Sequence, residues 1–220
     1  MKCTLVAISK PVIEGLETAE DLVAYCARVS NPANQLNQET ASKLLKYLAD
    51  NKHWSPFEMI SVTIEIETTR DIARQILRHR SFAFQEFSQR YARVLDMSDP
   101  RETRLQDNKN RQNSIEVDDE SLQNWWEDAQ LRVIDLATEI YDAAYELGIA
   151  KEQARVVLPE GLTNSTLYMA GTLRSWIHYC QLRMGNGTQK EHREIAQAIW
   201  KIILQQFPSL KGVITDEIQI

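Results

Sequence analysis

The chain has 220 residues, 43% of them hydrophobic and 25% charged, a composition that excludes a disordered or fibrous protein and fits one buried core better than two small ones. Its formal net charge is -6 and its sequence pI about 5.3, so the molecule as a whole repels polyanions, and any phosphate it binds is met at a focused site. The apolar run in MKCTLVAISKPVIEG is too short for a signal h-region with a cleavage site, and no later stretch approaches a membrane span, so a cytoplasmic location without membrane attachment is expected. Cys3, Cys26 and Cys180 share no metal-ligand spacing and read as reduced, mostly buried thiols; no metal site is expected.

In chain order, residues 2–8 read as a short strand, and 19–29 and 39–51 as helices that start near Thr18 and near Asn37 or Gln38. The clearest strand is 59–68, where Ile60, Val62, Ile64 and Ile66 alternate with Ser61, Thr63, Glu65 and Glu67. From Arg70 the period turns helical: Ile72, Ala73, Ile76 and Leu77 form an apolar stripe with Arg74, Gln75 and Arg78 opposite, which places Arg78, His79 and Arg80 at or just past a helix end. Residues 97–121 are polar and long for a connection, and read as a mobile loop that could serve as a lid. A long helix over 122–147 carries Trp126, Val133, Ile140, Ala144 and Leu147 on one side and stops at Gly148. A short helix leads to Ala154-Arg155-Val156-Val157-Leu158-Pro159, and helices over about 172–184 and 190–207 flank the Gly185-Asn186-Gly187 turn. The expectation is an α+β fold: a single helix-rich domain over 1–220 with a small central sheet.

The segment RHRSFAFQEFSQRY, residues 78–91, concentrates positive charge in this acidic chain. Between Arg70 and Arg90 the cations are arginine and never lysine apart from His79, and planar guanidinium groups grip phosphate in a bidentate way that lysine does not copy. Solvated cations complementing a helix C-terminus are the plain alternative. A single-stranded nucleic-acid face, with arginines on the backbone and phenylalanines stacked on bases, is another; the overall acidity and the lack of a further basic stripe argue against it. A phosphorylated small molecule is favoured.

Arg78-His79-Arg80, seven residues, then Ser88-Gln89-Arg90 closely resembles the signature of the flavin-dependent thymidylate synthases, which methylate dUMP without a cysteine nucleophile. Three further segments agree: His53-Trp54-Ser55-Pro56-Phe57-Glu58, Ala154-Arg155-Val156-Val157-Leu158-Pro159, and Leu182-Arg183 followed by Gln189 and Glu191. Within the seven-residue spacer, Ala83 and Gln85 stand where family members often have a serine and an asparagine, as a nucleotide-binding protein that had lost the chemistry would also show.

The resemblance implies FAD bound by Ser55, Arg78, His79, Arg80 and Glu86, with His53 and Glu58 as weaker candidates, and met from another subunit by Thr172, Leu173, Arg174 and His178. It implies dUMP held by Gln75, Arg78, Glu86, Phe87, Ser88, Gln89, Arg90, Arg155 and Arg183. It implies NADPH as reductant, 5,10-methylenetetrahydrofolate as co-substrate, and a homotetramer with shared sites and no nucleic-acid partner. There are seven glycines and no G-x-G-x-x-G after a strand, so side chains rather than a backbone cradle must hold a dinucleotide. Ser88 suits a phosphate ligand better than a nucleophile, since the sequence places no base beside it. Arg183 is expected to be catalytic, a cation against the pyrimidine edge that stabilises the N3-deprotonated, enolate-like uracil; its alternative is a salt bridge with Glu191.

Overall fold

A computed structural model describes residues 1–94 and 96–214. The fold is helix-rich α+β, with strands β1 (Lys2–Ile8), β2 (Ser61–Thr69), β3 (Ala83–Glu86), β4 (Arg104–Gln106), β5 (Ser114–Glu116) and β6 (Asn164–Thr172). The helices are α1 (Ala19–Ala27), α2 (Ala41–Asp50), α3 (Arg70–Ile76), α4 (Glu120–Glu146), α5 (Lys151–Ala154), α6 (Leu173–Arg183) and α7 (Lys190–Gln206). A four-stranded sheet has the order β1-β2-β6-β3, and β4 and β5 form a separate antiparallel hairpin. The chain divides into two compact units, one built from 1–66, 79–84 and the segment from Tyr168 on, the other from 67–78 and 85–167.

In the first unit α1 starts on a capping box, Thr18 accepting from the Asp21 amide while the Asp21 carboxylate accepts from the Thr18 amide. Helix α2 starts at Ala41 with Thr40 as its N-cap, a few residues beyond Asn37 and Gln38. Val62, Ile64 and Ile66 are buried as the alternation of β2 requires. Helix α6 packs on α7 and is anchored by the buried Trp176 indole, which donates to the Val62 carbonyl at 3.1 Å. Strand β6 was not evident from sequence. Its run NSTLYMAGT buries only Ser165, Leu167 and Met169, and it passes into α6 without a turn. The amide of Leu173 donates to the Ile60 carbonyl, and in the second unit that of Arg70 donates to Thr163; these two bonds make β2 and β6 antiparallel. They also satisfy amides that a helix start leaves without an internal partner.

Gly171 sits where β6 meets the Phe82 ring: a Cβ there would lie 2.4 Å from Phe82 Cδ1 and 2.6 Å from Cε1. That ring is itself set edge-on to Trp176, with centroids 4.7 Å apart. Gly171→Val is therefore expected to cost about 1–3 kcal/mol of stability, the usual penalty for overpacking. Urea denaturation checks this, and adding Phe82→Ala should recover part of the loss.

In the second unit, residues 97–121, read from sequence as a mobile loop, carry the β4–β5 hairpin and a set of side-chain ties. Met97 forms a bridge with Thr163, and the Arg101 guanidinium donates to Asp71 at 2.7 and 2.9 Å and to Thr69 at 2.6 Å. The Arg101 amide donates to Gln130 Oε1 at 2.8 Å. The Asp107 carboxylate closes the β4–β5 turn by accepting from the amides of Lys109 and Asn110. Polar residues serve here as ties, which composition cannot distinguish from solvation. Helix α4 begins earlier than expected, at Glu120 on an Asp119 cap. Its buried residues are Gln130, Ala137 and Tyr141; of the residues read from sequence as one side of the helix, Trp126, Val133, Ile140 and Leu147 are exposed and Ala144 is partly buried against the Tyr141 cluster.

Candidate active site

The first unit carries two sets of the expected side chains. At the start of α6, Arg174 Nη1 donates to Glu58 Oε1 at 2.6 Å, and the Thr172 hydroxyl donates to Glu58 Oε2 at 2.7 Å while also capping the helix through the Ser175 amide. These bonds, the Thr172 one foremost, hold the Glu58 carboxyl below its ordinary range. His178, one turn on, stands edge-on to Trp54 with centroids 5.0 Å apart. Burial, and next the Arg174 charge, lower its pKa. Glu58, Thr172, Arg174 and His178 thus form one cluster, and Ser55 lies exposed on the turn (Ser55–Met59) that carries Glu58. His53 is exposed, edge-on to Tyr47. Leu173 has a fully buried side chain, and its amide donates to the Ile60 carbonyl at the helix start.

The second set joins the signature to the C-terminal Leu-Arg segment. Arg183, at the last turn of α6, donates from Nε to His79 Nε2 at 2.8 Å, across 104 residues of sequence. A ring nitrogen that accepts from a guanidinium carries no proton, so His79 is neutral with its proton on Nδ1. Burial, and then the Arg183 charge, bring its pKa down to about 4. Tyr179 stands edge-on to the His79 ring at 4.8 Å, and its hydroxyl shares a 3.0 Å hydrogen bond with His192 Nε2. His192 is fully buried, and burial, followed by the Arg183 and His79 charges, lowers its pKa to about 3. Arg80 is exposed just beyond His79.

Both imidazoles are neutral in the fold and would take a proton near pH 6.5 once unfolded, so between about 6.5 and about 4 the unfolded chain binds more protons. Their contribution to stability is complete above the unfolded pKa and is lost as pH falls through that window. The stability, followed by the melting temperature, is expected to be level above pH 7 and to decline from about 6.5 downward, the unfolding free energy falling by up to about 1.4 kcal/mol per pH unit for each histidine. His192→Leu should flatten that decline; an unchanged slope would show that His192 does not carry it.

In the second unit, Ser88, Arg90, Tyr91, Ala150, Lys151 and Glu152 line a cavity of about 590 Å³. Arg90 Nε lies 3.6 Å from a Glu152 oxygen with both side chains largely in solvent, a loose pair that an incoming phosphate can replace. Arg155 is held beside it, donating from Nε to the Glu152 carbonyl at 3.3 Å. Gln89 is buried, and its Nε2 has no partner among the described residues. Phe87 is partly exposed and its amide donates to Thr166 on β6. Gln75 is half-buried on α3 and Arg78 exposed just after it. Glu86 is committed inside the protein: it accepts from Ser165 at 2.9 Å and pairs with the buried Arg70 at 3.5 Å. A cavity of equal volume beside the hairpin is lined by Glu102, Glu116 and Glu127 together with Arg101, and its acidic wall is unsuited to an anion.

Sequence reasoning missed Tyr179, His192, Arg70 and Ser165, and underrated Glu58. All five act through partners far away in sequence, and the only local hint was the 13-residue separation that lets α6 and α7 bring Tyr179 and His192 together.

The model of the family described as "Thymidylate synthase complementing protein" matches residues 11–209. The chain is 53% identical over 210 residues to the "Probable flavin-dependent thymidylate synthase" of Paramecium bursaria Chlorella virus 1, covering 96% of this chain and 97% of that one. It is 48% identical over 219 residues to the "Flavin-dependent thymidylate synthase" of Synechocystis sp., covering 97% and 99%. Among solved structures, the UMP/dUMP methylase PolB from Streptomyces cacaoi bound with 5-Br dUMP superimposes with a TM-score of 0.79 at 26% identity, over 97% of this chain and 94% of that one. With its signature arginines, its Arg183–His79 contact and full-length likeness to these relatives, the chain belongs to the flavin-dependent thymidylate synthase family.

Proposed function

We propose that this protein converts dUMP to dTMP, taking the carbon from 5,10-methylenetetrahydrofolate and using FAD reduced by NADPH. The observation that carries the reading is the 2.8 Å bond from Arg183 to His79, because it brings together the signature and the C-terminal Leu-Arg segment of the family pattern.

The donor set fits the ligands. Ser88 and Arg90 on an open cavity, with the unpartnered Gln89 amide between them in sequence, suit a monophosphate. Arg78 and Arg80 are exposed guanidiniums in a chain that lacks a backbone cradle, as a diphosphate held by side chains requires. Ser55, Arg174 and His178 would hold the rest of the flavin. When bound, the flavin supplies the reducing equivalents and mediates one-carbon transfer.

This chain's own residues prepare the uracil. With Nε given to His79, the Arg183 guanidinium plane is fixed, and its terminal nitrogens are the donors assigned to the pyrimidine edge. His79, being neutral, adds no second charge beside it, so the positive charge stays on the group that must stabilise the N3-deprotonated uracil. Nucleophilic character at C5 then arises without a thiolate, in keeping with Cys180, which is fully buried and whose thiol burial pushes well above its ordinary pKa.

Residues 1–220 act in this reading as one catalytic domain of a cytoplasmic homotetramer whose subunits share sites. No described helix is long and apolar enough to cross a membrane. The test is the visible spectrum of the purified protein: flavin bands bleached by NADPH are expected, and a protein that stays colourless after FAD is added overturns the cofactor assignment.

A further inference from the structure

Two buried polar side chains outside the set assigned to ligands lie against the Arg183–His79 contact: Tyr179 on α6 and His192 on α7. Tyr179 precedes Arg183 by one helical turn, so the two project from the same face of α6, and both reach His79. Arg183 donates from Nε to His79 Nε2 at 2.8 Å, and the Tyr179 ring stands edge-on to the imidazole, with centroids 4.8 Å apart and planes at 77°. The His192 and Phe82 rings close in at 6.4 and 6.5 Å, both nearly perpendicular to it. Enclosure by three rings restricts rotation of the imidazole, and whether its Nε2 points at Arg183 follows from where those rings stand.

The nearest of these rings is fixed by a hydrogen bond. Burial, foremost, raises the Tyr179 phenol well above its ordinary pKa, so the hydroxyl keeps its proton. Among the described residues its one hydrogen-bond partner is His192 Nε2, at 3.0 Å. The neutral His192 ring therefore accepts at Nε2 and carries its own proton on Nδ1. Packing alone does not require this pair, since two apolar side chains of the same shape can fill such a space at nearly equal stability. What the pair adds is direction: a satisfied buried hydrogen bond pins the phenol where an apolar ring would be free to shift. We infer that Tyr179 and His192 are positioning residues, whose hydrogen bond holds the ring that orients His79, and that His79 so oriented sets the guanidinium plane of Arg183 against the uracil.

The inference rests on the proposed methylation of dUMP, and two measurements test it. In the holoenzyme, Tyr179→Phe and His192→Leu should each lower turnover at saturating dUMP roughly tenfold, the scale for a small misplacement of a stabilising group, with half-saturation for dUMP and FAD content unchanged. His192→Gln, whose amide oxygen can accept from the phenol, should keep most of the turnover. Adding Tyr179→Phe to Arg183→Ala should cause no further loss, because a residue that acts through Arg183 has nothing left to position. Equal losses in both backgrounds would overturn the inference, as would full turnover by Tyr179→Phe alone. Tyr179→Phe combined with His192→Leu removes both polar partners together and should recover part of any melting temperature the single variants lose, while turnover stays low. Turnover that recovers along with the melting temperature would make the pair a folding feature only and overturn the inference. The second measurement needs no activity. In arginine-labelled protein the Nε–H of Arg183, held by His79, should give an exchange-protected NMR signal that is absent from Arg183→Ala. Tyr179→Phe and His192→Leu should speed its exchange with solvent roughly tenfold or more, as expected when a local contact opens more often. Native protection in both variants would overturn the positioning role, whether or not the native chain forms dTMP. A native chain that forms no dTMP would instead remove the proposed function, and the exchange measurement would still decide whether the pair orients Arg183.

Discussion

Arg183→Ala is expected to lower dTMP turnover at saturating dUMP by roughly a hundredfold or more while FAD remains bound, the scale for removing one preorganised electrostatic donor. The structure sharpens this expectation because the guanidinium is fixed by its own Nε. The 2.8 Å bond to His79 orients the plane before any ligand arrives, and a donor already in place needs no reorganisation during the reaction. Arg183→Lys should rescue little, since an ammonium on a flexible stem has neither the Nε that meets His79 nor the planar fork proposed to meet the pyrimidine. Measuring dUMP-to-dTMP conversion with NADPH oxidation in parallel decides the matter. Near-normal dTMP formation by Arg183→Ala would take the residue out of the chemistry.

Arg90→Ala should act differently. The side chain lies on the cavity wall with Ser88 and is paired only loosely, with a Glu152 oxygen 3.6 Å away. A charge-assisted contact to a phosphate contributes about 1.5–3 kcal/mol, so half-saturation for dUMP should rise roughly tenfold to a hundredfold. Turnover at saturation should change little, because the phosphate is held alike in ground and transition states. Glu152→Gln removes the competing carboxylate and should not weaken dUMP. A fall in turnover at saturating dUMP without a change in half-saturation would place Arg90 among the groups that act on the reacting ring.

What could be read from the sequence was local. The alternation from Ile60 to Ile66 gave β2, and the switch of period at Arg70 gave α3 and the position of Arg78 to Arg80 past its end. The signature and the Leu182-Arg183 pair gave the family and the residues of the candidate site. Strand β6 escaped because its inward positions include a serine, and its glycine is there to admit the Phe82 ring, a requirement visible only in three dimensions. The direction of α4 escaped because a hydrophobic period does not say whether its face meets the chain's own core or another surface; Tyr141 rather than Trp126 faces inward. Glu86 is an acidic residue inside the signature, yet its placement is set by the buried Arg70 and by Ser165, which are 16 and 79 positions away along the chain. The pairings that shape the site, Glu58 with Arg174 and His79 with Arg183, likewise span more than 100 residues.

In the proposed function arginines, with no cysteine nucleophile, carry a flavin-dependent methylation of dUMP. It is tested most directly by assaying dTMP formation with dUMP, 5,10-methylenetetrahydrofolate, NADPH and FAD, and with each omitted in turn, using a chain in which Cys3, Cys26 and Cys180 are all replaced by alanine. Expected are dTMP in the complete mixture, none without the folate or the reductant, and turnover that survives loss of all three thiols. No dTMP from the native chain in the complete mixture, or activity that disappears from a folded cysteine-free chain, would contradict it.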